Sequence, residues 1–254
     1  MDYKNEQPKY NIGNQPTPPP YNGASYYGAS QNALSSQVNT IMRKVYVRMF
    51  IGLLISAFCA LGIATSPAAM GFFFGNQIVF WGMLIAMFAI AFILPARMDK
   101  MSQGAVLGVF CLYSALMGCW LAPIFIVYRL GTIVYTLFIT AGTFGAMSVY
   151  GYFTKRDLTK MGSYMMMALF GLIILMIVNI FAKSSTLEWI VSIVGVVLFI
   201  GLTAWDTQQV RRLAQSNLSP AVSDKLATMG AMNLYLDFIN LFLFLLRIFG
   251  GGRD

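Results

Sequence analysis

Two acids stand where acids are costly. Asp206 lies in the apolar run Gly201-Leu202-Thr203-Ala204-Trp205-Asp206-Thr207, and Asp237 in Asn233-Leu234-Tyr235-Leu236-Asp237-Phe238-Ile239-Asn240; the other seven of the nine acids fall in tails, loops or at the edges of apolar segments. An aspartate at the centre of a membrane helix costs about 2.5–3.5 kcal/mol on insertion scales, so it should face the protein interior or a wet cavity and have a partner. The run bearing Asp206 ends five residues later at Arg211, which puts that carboxyl about 7–8 Å inside the boundary at the helical rise. A final helix entering from the same side near Met229 places Asp237 about 12 Å deep. The two can therefore meet at similar depth. On the last segment Gly230, Asn233, Asp237, Asn240 and Phe244 share one helical stripe, so Asn233 and Asn240, with Thr203 from the segment before, are the expected polar support.

Two chemistries fit such a pair. The plainer is a buried hydrogen bond between helices, with one or both acids permanently protonated. The other is a coupled pair that titrates: two carboxyls sharing a site cannot both ionise cheaply and lose their protons in separate steps. Loss of the shared proton then adds repulsion and draws in water or cations, which makes the pair a pH-dependent latch. A tight calcium site needs six to eight oxygens, and two carboxylates with nearby amides supply only transient coordination, not a high-affinity metal site. An intramembrane aspartyl protease pairs Tyr-Asp with Gly-x-Gly-Asp, whereas Asp206 follows Trp205 and Asp237 follows Leu236. With no histidine, nucleotide loop or nucleophile elbow, the reading is of a non-enzyme with no catalytic residues and no cofactor. The three cysteines (Cys59, Cys111, Cys119) sit in apolar segments as packing residues.

The elements that must hold the acids follow from composition. Hydrophobic residues make up 58% of the 254 and charged ones only 10%, against roughly 25% charged in an ordinary soluble domain. Lipid is therefore the main solvent, and the net charge of +8 is one of orientation, not of nucleic-acid binding. At about 20 residues per crossing, spans are expected near 46–66, 78–96, 104–122, 132–152, 163–182, 188–208 and 229–249, with Pro67, Pro95 and Pro123 near the ends of the first three. Thirteen Lys and Arg fall in the N-terminal segment and the loops on its side, against Arg129 and Lys183 on the other, which predicts a cytoplasmic N-terminus. Gly104 with Gly108, and Gly142 with Gly145, are read as close-packing positions within the molecule. Residues 1–40, rich in Gln, Asn, Pro, Gly, Ser and Tyr, are expected to form a disordered cytoplasmic tail, leaving 41–254 as the transmembrane domain. The tail's Pro18-Pro19-Pro20-Tyr21 matches the PPxY pattern of WW ligands, although a polyproline-biased linker explains it as well.

Three spaced motifs carry a resemblance. Tyr150-Gly151-Tyr152-Phe153-Thr154-Lys155-Arg156-Asp157-Leu158-Thr159, then Gly201 to Gln208, then Leu234 to Phe242, resemble the signatures of the Bax inhibitor-1 family over roughly residues 40–250, and Ala122-Pro123-Ile124-Phe125 fits as well. The resemblance implies an all-α integral membrane protein in which six helices surround a central, C-terminal seventh, residing in the bacterial inner membrane. It implies a pH-sensitive calcium leak, with Asp206 and Asp237 as sensor and gate and calcium or protons as transient partners. An arginine of the second helix is expected to latch the sixth-helix acid; Arg97 is the candidate, although it is equally well an interfacial positive-inside residue. Some members carry an acid within the second span, and none lies between Gly82 and Leu94 here. The alternative that the resemblance implies is a non-enzymatic membrane regulator that binds a membrane protease or stress-response partners.

Overall fold

A computed structural model of the protein describes residues 23–216 and 218–250, with side chains from residue 34 onward. The described residues form helices and turns with no strand, and seven helices are long and apolar enough to cross a membrane. These are α1 (Gly23–Ala64), α3 (Gln77–Arg97), α4 (Gln103–Leu121), α6 (Leu130–Phe153), α7 (Thr159–Ala182), α8 (Ser185–Ala214) and α9 (Pro220–Phe249); the short α2 (Pro67–Gly75) and α5 (Ile124–Val127) lie between them. A membrane helix must satisfy its own backbone, and polar caps set the boundaries. The hydroxyls of Ser66, Ser102, Ser184 and Ser219 each accept from a backbone N–H in the first turn of the helix that follows. Asn76 does the same for α3, accepting from Ile78 and Val79. Lys183, at φ 47°, turns the chain from α7 into α8 while the Asn179 side chain accepts from the Ser184 N–H.

All seven expected spans appear. The sixth and seventh continue past their expected limits at 208 and 229, because Arg211 and Asp224 are held by neighbouring helices and need no water to satisfy them. Of the segment expected as a tail, residues 23–40 are helical, and Val38 joins Ile41, Met42 and Val45 in the core. The PPxY stretch lies outside the described residues.

Burial ranks the helices. In α9, 72% of the most apolar stretch is buried, against 50% in α8, 11% in α3 and 6% in α7. The C-terminal helix is thus the innermost; α1, α4, α6 and α8 pack against it, while α3 rests on α4 and α7 on α8. Glycines set the closest approaches, though not those expected. Gly104, Gly108, Gly142 and Gly145 have open space where a Cβ would stand. Gly118 instead lies on the α1 backbone at Ser56, Gly151 on the α8 backbone at Ala204, and Gly162 under the Trp205 ring. A GxxxG spacing marks small residues on one face, but not which face meets a neighbour.

Candidate functional site

α8 and α9 run antiparallel in a register fixed by ring and glycine contacts. The Phe199 and Phe244 rings stack at 5.8 Å, and Gly230 receives Val210. That register sets Asp206 opposite Asp237. The two carboxyls are 8% and 4% exposed and lie within hydrogen-bonding reach of each other. Asp237 Oδ2 is sequestered with no hydrogen-bond partner. Next to Asp206 in sequence, Thr207 Oγ1 is also unpaired, and it and Ser148 Oγ of α6 stand near the Tyr46 hydroxyl without making an aligned hydrogen bond. Buried polar groups are seldom left unpaired, so this end of the core holds unmet capacity for a proton, water or cation. Among the described residues, no three His, Cys, Asp or Glu side chains converge as a metal site.

The expected polar support is arranged differently. Thr203 is fully buried, but its hydroxyl donates to the Phe199 carbonyl of its own helix, and the Asn240 amide donates to Leu236. Asn233 is exposed, and with Leu236, Asn240, Leu243 and Arg247 it traces the least covered stripe of α9. At about 100° per residue, Asp237 sits some 40–60° around the helix from either amide, on the flank that meets α8. The amides therefore line an open face beside the acid instead of solvating it. Arg97 ends α3 exposed and, among the described residues, makes no ion pair; α3 packs chiefly on α4, which leaves the arginine away from Asp206 in this structure.

A different arginine ties the innermost helix down. Arg48 of α1 donates to the Asp224 carboxylate at 2.7 Å, to the Asp224 carbonyl at 2.6 Å and to Thr228 Oγ1 at 2.8 Å, while Lys44 adds a second bridge to Asp224 at 3.0 Å. This clasp joins α1 to α9 at the end of the bundle that carries most of the cations, hereafter the basic end. Counted by charge alone Arg48 is a boundary residue; its signal was the spacing of Asp224 and Thr228, one turn apart on one helix face. Deeper in α9, the buried Tyr235 hydroxyl meets Ser56 Oγ at 2.6 Å, and Ser56 also lies 2.7 Å from the Ser114 carbonyl. That link fixes α1, α4 and α9 on the face away from the acids.

The loop between α6 and α7 is tied to the end of α8. Buried Gln208 donates to the Arg156 carbonyl at 2.8 Å and accepts from the Leu158 N–H at 2.9 Å, and Arg211 donates to the Tyr152 carbonyl while lying over the Tyr152 ring. Asp157 accepts from the Thr159 hydroxyl and N–H and pairs with Arg212 at 2.7 Å; these contacts, Thr159 first, hold its carboxyl down at about 2. The sequence blocks at 150–159 and 201–208 are therefore one structural unit that anchors the helix carrying Asp206.

The fold and site together define a polytopic α-helical membrane protein with a carboxyl pair buried between its last two helices. The family model described as "Inhibitor of apoptosis-promoting Bax1" matches residues 38–254. The chain is 46% identical over 218 residues to the inner membrane protein YbhL of Escherichia coli, covering 85% of this chain and 93% of that protein. It is 43% identical over 217 residues to an uncharacterized protein of Borreliella burgdorferi, covering 85% of this chain and 94% of the other. The chain belongs to the Bax inhibitor-1 family.

Proposed function

We propose that this protein is a passive, proton-regulated cation leak, with calcium the principal ion, in which Asp206 and Asp237 act together as sensor and gate. One observation carries the reading: two buried carboxyls on different helices within reach of a shared proton, one of them with an oxygen that has no partner. While a proton is shared, the pair holds α8 against α9. When it leaves, two like charges face each other in a poorly solvated site, and their repulsion is relieved by separating the helices or by admitting water and a cation. The uncovered α9 stripe bearing Asn233 and Asn240 offers the entering ion oxygen ligands beside the pair. Two carboxylates with a few amide oxygens fall short of a calcium cage, which suits passage better than storage. The basic end faces the cytoplasm on this reading, because its loops carry the excess of Lys and Arg.

The test is calcium flux into proteoliposomes over a pH series. Flux is expected to rise as pH rises, and Asp206→Asn and Asp237→Asn should each flatten the response. Flux and pH response unchanged in both variants would remove the pair from the mechanism.

A further inference from the structure

A second feature lies on the opposite side of α9 from its uncovered stripe. Between α1 and α6 runs a groove of about 580 Å³, backed by Phe238, Ile239 and Phe242 of α9 and open on its outer side. Its walls are apolar for almost their whole length, and Gly145 contributes open space where any other residue would intrude. Along α6 it reaches from Ile133 to Ser148, about 22 Å at the helical rise, which exceeds the ~15 Å of one leaflet's hydrocarbon. The volume is within the ~300–1,000 Å³ of ordinary ligand sites.

The two ends of the groove differ. The far end is closed by apolar Leu121, Ile124 and Phe125. The basic end is lined by Tyr46 and by Ser148, 5% exposed, whose hydroxyls lie side by side. Just beyond, the Tyr152 hydroxyl donates to Asn39 at 2.7 Å and draws α6 to α1. Arg43 stands at this lip, on the α1 stripe that continues through Tyr46 and Phe50 into the groove, and it is exposed with no ion pair among the described residues. Lys155, just past the end of α6, is likewise exposed and unpaired among them. The described acids of the basic end near this lip do not compete, since Asp157 and Asp224 are already bound to other cations.

We infer that the groove is a lipid site that takes one acyl chain of an anionic phospholipid from the basic-end leaflet, with its phosphate at Arg43. An apolar slot at membrane depth suits a hydrocarbon chain, and an unneutralised cation at its lip marks the headgroup level. Charge complementarity selects anionic over zwitterionic lipid, by about fivefold for one cation near the membrane surface.

The full-length protein, purified in detergent, is incubated with phosphatidylglycerol or phosphatidylcholine, and bound lipid is counted by native mass spectrometry. One phosphatidylglycerol is expected to stay bound in preference to phosphatidylcholine. Arg43→Gln should lower that preference about fivefold while leaving a chain bound. Gly145→Leu should abolish retention of both lipids. Gly171→Leu, at another glycine with open space around it but outside the groove, controls for folding and should retain lipid as the wild type does. Equal retention of both lipids by the wild type, or retention that survives Gly145→Leu, overturns the site. A groove filled by a second protein copy, seen as a lipid-free dimer that Gly145→Leu dissociates, overturns it too.

Discussion

Arg48→Gln removes the centre of the clasp between α1 and α9, and its cost can be worked from the contacts. The Arg48 and Asp224 side chains are 14% and 20% exposed, between the surface case, worth about 0–1 kcal/mol, and the fully buried case, where breaking a pair costs about 3–5 kcal/mol. Three hydrogen bonds are lost, but Lys44 stays on Asp224, so the carboxylate is not abandoned. The expected loss is about 2–3 kcal/mol, given that single hydrogen bonds to charged groups contribute about 1.5–3 kcal/mol and do not add fully. Lys44→Gln should cost well under 1 kcal/mol, since its side chain is 44% exposed. Reversible unfolding in mixed micelles supplies the free energies, and the double variant with Asp224→Asn closes a cycle. A coupling of about 1–2 kcal/mol is expected, above the ~0.5 kcal/mol within which independent sites add. If Arg48→Gln and Asp224→Asn are additive, or Lys44→Gln costs more than Arg48→Gln, Arg48 does not tie α1 to α9 through Asp224. Because the clasp pins the helix that carries Asp237, the proposed function predicts that the same variant also raises calcium flux into proteoliposomes at neutral pH.

Two further outcomes follow from the geometry. Gly151→Ala sets a Cβ against the α8 backbone at Ala204, which cannot rotate away, so a loss of about 1–3 kcal/mol is expected from overpacking; Gly142→Ala, with open space, should gain about 0.5–1 kcal/mol from helix propensity, and the same unfolding assay compares the two. Asp157, held at about 2 by Thr159 and Arg212, lies below the ~3.9 of an unfolded aspartate; its contribution is complete above about pH 4 and fades as pH falls towards 2. Melting curves of Asp157→Asn and wild type should therefore differ at neutral pH and converge in acid, and a difference that persists below pH ~2 would contradict this.

The seven spans were legible because each is a long run with almost no charge, and the acid pair because an aspartate stands out in such a run. Depth, counted from Arg211 and Met229, was enough to set Asp206 opposite Asp237. What could not be read was direction around the helix axis. Asn233, Asp237 and Asn240 look like one polar stripe by spacing, yet a 40–60° offset at ~100° per residue is enough to send the acid to α8 and the amides to the uncovered face. The glycines failed for the same reason: Gly142 and Gly145 have helical spacing, but only Gly151, one further turn and a half along α6, meets a backbone. The start of α1 was hidden by composition, because its first turns are polar and the apolar spacing of Val38, Ile41, Met42 and Val45 begins only later. Arg48 and Arg97 were indistinguishable as boundary cations, and tertiary packing alone gives one of them a carboxylate.

The proton proposed to be shared by Asp206 and Asp237 can be observed directly by infrared difference spectroscopy of the protein in lipid, recorded against pH. A protonated-carboxyl band should disappear as pH is raised, and both Asp206→Asn and Asp237→Asn should alter that one transition, because it belongs to the pair. A carboxyl signal that ignores pH throughout the range in which the protein stays folded, or that survives either substitution unchanged, would mean that the two acids form a fixed structural contact and gate nothing.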